Sequence, residues 1–291
     1  MKIGLLALFL ITAAAGQAQE PLIVPHVLTG VPDEVEDTLY RPVFVIPIDG
    51  RVMLRRKVYY DPLEDERVED AWQHVAGALA LVAVRMEREP LPGTQDGTLV
   101  PSEPVLIRAD LNAPFRPSLK IMEFCAEQRI RHIHFAVGDA RKVDRKLGLQ
   151  VSTTWEQRLE LTLPIDLTSP PEKTGPGPVE VSIRVLEAGR KLEMRRDEDV
   201  LWKGKGDTRF RLDLSTRKVE YTLGGRQILG FSTFRARLQG MGATLKGRRL
   251  VIEAGEGVTT FEALLVLDAG RSLGVGEVSF VAAPDTQNEK R

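Results

Sequence analysis

Between Pro104 and Asp139 the chain gathers residues able to do chemistry. They are two histidines, His132 and His134, the only cysteine, Cys125, and the triplet Arg108-Ala109-Asp110. Imidazole and thiolate together are zinc ligands, and a thiol beside a base is a nucleophile. The spacing completes neither. Zinc takes three or four protein ligands, and the remaining histidines are the distant His26 and His74. Cys125 falls among Met122 and Phe124 on an apolar helical face, where cysteine behaves as a small core residue. His132 and His134 are expected on one face of a strand.

All the candidate binding residues but Asp110 lie elsewhere. Arg55, Arg56 and Lys57 form one basic cluster, and Arg141, Lys142, Arg145 and Lys146 form a second. Such runs are ordinarily solvated faces, with anion binding as the other reading. Asp110, directly after an apolar strand, is expected to brace the turn into the next helix, with ligand binding as its other use. The strand–helix junctions carry no Gly-rich phosphate loop, no Gly-x-Ser-x-Gly elbow and no His-Glu-x-x-His. No catalytic, metal or cofactor residue is assigned, and no cofactor is expected.

The elements that position these residues come from a chain of 291 residues, 28% charged and 43% hydrophobic, long enough for two domains. Forty Lys and Arg are matched by 41 Asp and Glu, so nucleic acid is not the expected partner. Residues 1–18 have the order of a cleaved signal peptide: Lys2, an apolar run, then Gly16 and Ala18. A retained anchor is the other reading, but about 20 apolar residues are needed to span a bilayer. The expected location is therefore periplasmic or secreted. One cysteine allows no intramolecular disulfide.

Residues 19–40 read as an extended lead-in. "PVFVIPIDGRVMLRRKVYY" reads as strand, Asp49-Gly50 turn and strand. Trp72, Val75, Leu79 and Val82 have helical spacing, and the acidic residues ahead of them suit a helix dipole. "EPLPGTQDGTLVPSEP" reads as a loop. Val105–Ala109, a helix carrying Phe115, Leu119 and Met122, and Ile130–Val137 make a β-α-β unit with parallel strands. "RLELTLPIDL" is another strand. Residues 168–178, rich in Pro and Gly, are the expected linker. Beyond it come "VEVSIRV", a Glu-Ala-Gly turn and "RKLEM". "RFRLDLSTRKVEYTL" reads as two strands around a polar turn, "FSTFRARLQGM" as a short helix and Leu250–Ala254 as a strand. The tail 284–291 reads as disordered.

The segment from Arg249 to Ala283 lies on the opening stretch without a gap, at the offset of 145 that separates Ala109 from Ala254. Ile252 then meets Ile107, Leu264 meets Leu119 and Phe280 meets Phe135. The chemistry is not copied: His132 meets Glu277, His134 meets Ser279, Cys125 meets Gly270 and Asp110 meets Gly255. An apolar frame repeated without its polar residues points to a scaffold.

At these residues the chain resembles the periplasmic domain of the ExbD/TolR biopolymer-transport family. Arg108, Ala109 and Asp110 match its triplet, Pro114-Phe115 its Pro-aromatic pair and Ile130–Val137 its last strand. "IPIDGRVML" looks like its opening hairpin. The segment from Leu250 to Ala283, with "RLDLSTRKVEYTL" as a hairpin, resembles it again, and the two matches cover roughly two-thirds of the chain. The resemblance implies an α+β fold of two tandem small domains, 41–167 and 179–283, each a mixed β-sheet with two helices on one face. Family members couple a membrane proton channel to envelope machinery, usually as dimers, and some contact the cell wall. Their transmembrane helix carries an Asp, whereas residues 3–16 here hold no charge, so proton conduction is not carried over.

The expected function is an exported, non-enzymatic accessory protein of an ExbD/TolR-type envelope transport or energy-transduction system. It would bind a membrane-complex or envelope protein, with peptidoglycan as a further partner, and work as a pseudo-dimer within one monomeric chain. The alternatives are a stand-alone periplasmic binding module and a hydrolase with its site at the domain interface.

Overall fold

The computed structural model describes residues 24–32, 41–55, 57–63, 65, 67–91, 97–139, 157–163, 177–193, 210–213 and 216–282. The expected signal peptide, residues 19–23 and 33–40 of the lead-in, most of the expected linker and the tail lie outside them, as do Arg56, Arg141, Lys142, Arg145 and Lys146. The fold is α+β.

In the first part of the chain, β1 (His26–Val27) and β2 (Val31–Pro32) come from the lead-in. Next are β3 (Val43–Ile46), β4 (Val52–Leu54), β5 (Lys57–Tyr60) and α1 (Val68–Ala83). Then follow β6 (Arg88–Pro90), β7 (Leu99–Pro101), β8 (Val105–Ala109), α2 (Arg116–Glu127), β9 (His132–Asp139) and β10 (Gln157–Thr162). The order across the sheet is β2-β10-β9-β8-β3-β4-β5, with β1 also on β9. The expected β-α-β unit is there, β8 running parallel to β9 with Ile107 beside Phe135.

Two sequence expectations need correction here. The strand after Asp49-Gly50 breaks in two, because Arg55 takes a left-handed φ of 51° and turns the chain back into β5. The expected loop at 89–104 contains the β6–β7 ladder, where Glu89 lies opposite Val100. Its many prolines hid it: Pro90 and Pro101 sit at strand ends, where a missing N–H is tolerated.

The rest of the chain runs through β11 (Val179–Glu187), β12 (Arg190–Glu193), β13 (Phe210–Asp213), β14 (Lys218–Leu223) and β15 (Arg226–Leu229). It ends with α3 (Phe231–Gly240), α4 (Gly242–Leu245), β16 (Arg249–Ala254), α5 (Thr260–Ser272) and β17 (Glu277–Ala282). Its sheet order is β15-β14-β11-β16-β17. The expected hairpin of "RLDLSTRKVEYTL" does not form. β13 pairs with β12 and β14 with β11, so the four strands are two legs of one long ribbon, interrupted near Gly189 and Arg217. Alternation had identified strands but not partners, which backbone hydrogen bonds choose.

The strands β3, β8 and β9 are parallel neighbours, as are β11, β16 and β17. On the outer side of β3 lie antiparallel β4 and β5, and on that of β11 lie antiparallel β14 and β15. In both, the chain visits the strands in the same sequence with a helix before the fourth and fifth strands. Among the described residues, only the first sheet goes on past its fifth strand, to β10 and β2.

Amphipathic helices close the core. α1 buries Trp72, Val75, Leu79 and Val82, the expected face, and Trp72 stacks on Tyr60 with 4.3 Å between ring centres. α2 buries Leu119, Met122, Phe124 and Cys125. Phe234 of α3 stacks on Tyr221 at 4.9 Å. α5 starts with a full capping box, Thr259 and Glu262 exchanging bonds, which satisfies two otherwise orphaned amides. One continuous buried cluster joins Phe44, Phe115 and Phe135 to Ile183, Leu250 and Leu264.

Candidate functional site

The polar residues singled out from the sequence do not converge. Arg55 occupies the β4–β5 turn, and Lys57 is exposed with its ammonium 4.8 Å from the centre of the Tyr59 ring. Asp110 is buried, and its carboxylate accepts the Asn112 N–H at 2.8 Å. That bond braces the turn out of β8, as a short carboxylate side chain does. Cys125 is fully buried, and burial pushes its thiol far above the usual range, so it is held as an unreactive thiol.

The opening histidines part ways in their surroundings. His132 Nε2 lies 3.8 Å from Glu89 Oε1 on the β6–β7 ladder. His134 is buried. Its Nδ1 accepts from the Arg41 guanidinium at 3.2 Å, and its Nε2 lies 3.8 Å from Glu160 Oε1. Glu160 is the cross-strand neighbour of His134 and takes a 2.9 Å bond from Arg158 Nε. Partial burial alone would raise the Glu160 carboxyl. The Arg158 hydrogen bond and the charges of His134, Arg158 and Arg271 outweigh it and hold the group below the usual carboxylate range. A carboxylate among cations stays ionised, so this cluster holds fixed charge. Among the described residues no group of three His, Cys, Asp or Glu could hold a metal ion.

Three side chains whose roles the sequence did not reveal tie distant segments together. Asp268 of α5 accepts from the Leu28 N–H at 3.0 Å, the Thr29 N–H at 2.7 Å and the Thr29 hydroxyl at 2.6 Å. The lead-in is thereby strapped from β9 to the far edge of β10. Arg217 and Glu262 form a buried bidentate pair at 2.5 and 3.0 Å. Arg217 also donates to the carbonyls of Ala188 and Gly257. The capping-box spacing of Thr259 and Glu262 was the one available signal; sequence offers none for a partner 45 residues away.

The two β-α-β units meet at their helix starts. The Phe115 N–H donates to Val258 C=O at 2.8 Å, and the Thr260 N–H donates to Ala113 C=O at 2.9 Å. Pro114 and Thr259 face each other in an antiparallel bridge, and the Phe115 ring lies 4.9 Å from that of Phe280. Near the opposite end of α5 a cleft of about 240 Å³ opens between the end of β10 (Leu161, Thr162) and the α5–β17 corner (Arg271, Val275–Val278).

These features define an α+β protein whose two β-α-β units share a backbone-bonded junction. No helix among the described residues is long and apolar enough to cross a membrane. Comparison with protein-family models, curated proteins and solved structures returns no match to this chain.

Proposed function

We propose that the protein is an exported accessory subunit of an ExbD/TolR-type envelope transport or energy-transduction system. It has no catalytic activity of its own and acts by binding an envelope protein or peptidoglycan. Its parts 41–167 and 179–283 are two copies of one module, and together they stand in for a dimer.

The junction carries this reading. Moving each residue by 145 positions turns the bond from Phe115 to Val258 into the bond from Thr260 to Ala113. Reciprocal bonds between equivalent residues are the property of an isologous, two-fold interface. The shared strand order supports the same reading. A scaffold of this kind offers sheet edges and charged surfaces to partners, and adding a strand to an open edge is a recurring mode of peptide binding. The basic residues Arg55 and Lys57 are the described candidates for anionic polymer. The uncharged run at 3–16 keeps proton conduction out of the proposal.

The test is photo-crosslinking in cells from an exposed position such as Leu229, which is 62% exposed. An adduct with an inner-membrane channel protein is expected. Adducts confined to soluble envelope proteins would overturn the proposal in favour of a stand-alone binding module. Co-sedimentation with purified peptidoglycan examines the polymer, with loss of binding expected on replacing Arg55 and Lys57.

A further inference from the structure

We infer that the outer edge of β17 is a docking site for one extended strand of a partner protein, added antiparallel in the place that β10 holds on β9. The inference rests on the partner-binding reading above and names the surface.

The occupied edge shows what such a site accepts. β10 lies along β9 in a six-residue antiparallel register, with Leu159 opposite Phe135 and Leu161 opposite Ile133. At the offset of 145, β17 places Phe280 and Val278 where β9 has Phe135 and Ile133. Among the described residues no strand pairs with this side of β17. Its backbone is turned the right way. The Gly255 N–H bonds to Ile183 C=O, so Leu250, Ile252 and Ala254 direct their backbone groups toward β17. In a parallel ladder those groups engage Glu277, Ser279 and Val281. The N–H and C=O groups of Val278, Phe280 and Ala282 are left pointing outward.

The strand itself also carries none of the usual sequence protections. Open edges are ordinarily blunted by Lys, Pro or a bulge. β5 begins with Lys57, and its partner ladder is bulged between Val52 and Met53. β15 begins with Arg226. β17 reads Glu-Val-Ser-Phe-Val-Ala, with no Pro and no Lys or Arg. Its first residues line the cleft beside Leu161 and Thr162, which gives the end of an incoming strand somewhere to sit.

The occupant is a single strand from another protein. A second copy pairing through its own β17 would bring its own β10 and α2, which pack beside that strand, against the same elements here. A lone strand brings neither element with it and has only this chain's β10 and α2 beside it. Its chemistry follows from the edge. Apolar residues alternate so as to face Val278 and Phe280, and a Lys or Arg stands opposite Glu277. That carboxylate lines the cleft, and Arg249 Nε is 3.9 Å from it.

The probe is a fluorescent synthetic heptapeptide with the sequence of residues 157–163, and a second with Lys in place of Thr162, the position opposite Glu277. Both are added to the full chain, with amide exchange followed by NMR. Saturable binding is expected, with exchange at Phe280 and Ala282 slowed at least about tenfold at saturation. The Lys peptide should bind about two- to fivefold tighter. Ala282→Pro, at the exposed strand end, removes one outward N–H and should weaken binding about fivefold. No saturable binding, or protection on β5 or β15 instead, would overturn the site. The peptide experiment does not depend on which complex the protein serves, so failure of the crosslink and failure of the edge are separate outcomes.

Discussion

Pro114 and Thr259 stand opposite each other in an antiparallel bridge, at the centre of two reciprocal backbone bonds. Proline has no N–H, so its neighbours do the bonding. Phe115, next to it, is fully buried, its ring 4.9 Å from Phe280 and 6.3 Å from Phe135. One side chain therefore fills the space between the two sheets. Phe115→Ala should lower stability by about 3–5 kcal/mol, read from the denaturant midpoint. A change within about 0.5 kcal/mol, the range of ordinary surface substitutions, would mean that the junction carries no packing load.

Asp268 holds the lead-in through Leu28 and Thr29. Hydrogen bonds to a charged group contribute about 1.5–3 kcal/mol. Asp268→Ala should therefore speed amide exchange at Leu28 and Thr29 far more than within β8 or β9. Equal acceleration everywhere would show that Asp268 supports the whole fold and not the strap.

Arg217 and Glu262 are both nearly fully buried as a pair. Removing one partner strands a charge, at a cost of about 3–5 kcal/mol. Arg217→Met and Glu262→Gln should each destabilise strongly, and the double variant should lose less than the two losses added. Simple additivity in the thermodynamic cycle would mean that the two side chains act independently.

Glu160 gives a pH dependence with a definite sign. Its carboxyl is held below the usual range when folded, so the unfolded chain binds the proton more readily. The stabilisation is present above about pH 4–5, the ordinary Glu range. It is lost as pH falls through the lower folded value. Because the side chain is 43% exposed, solvent screening keeps the contribution small. Acid unfolding of Glu160→Gln should converge on that of the unchanged protein near pH 2 and diverge from it near neutrality. A gap that widened toward low pH would reverse the sign.

Much of the fold was legible because burial imposes a period. Phe115, Leu119 and Met122 mark α2, and the alternation of Leu159 and Leu161 with Arg158 and Glu160 marks β10. Phe44 and Ile46 mark the buried side of β3. Strand pairing was not legible where backbone atoms alone decide it. Nothing in the types of Arg190–Glu193 names Phe210–Asp213 as its partner, and nothing in His26–Val27 names β9. The candidate site was less legible still. Asp110 could be read as a brace because its bond is local. Arg41, Glu160, Asp268 and Arg217 act on residues tens or hundreds of positions away, and a charged residue that bonds at such range looks in sequence like any solvated one.

The proposed function requires one chain to supply both modules of a two-fold unit. The most direct measurement is the mass in solution, by sedimentation equilibrium across a wide concentration range. A single chain's mass, at most 32.3 kDa, is expected throughout. An obligate dimer at every concentration would contradict it, because the partner surface would then lie between chains and not at the junction of Pro114 with Thr259.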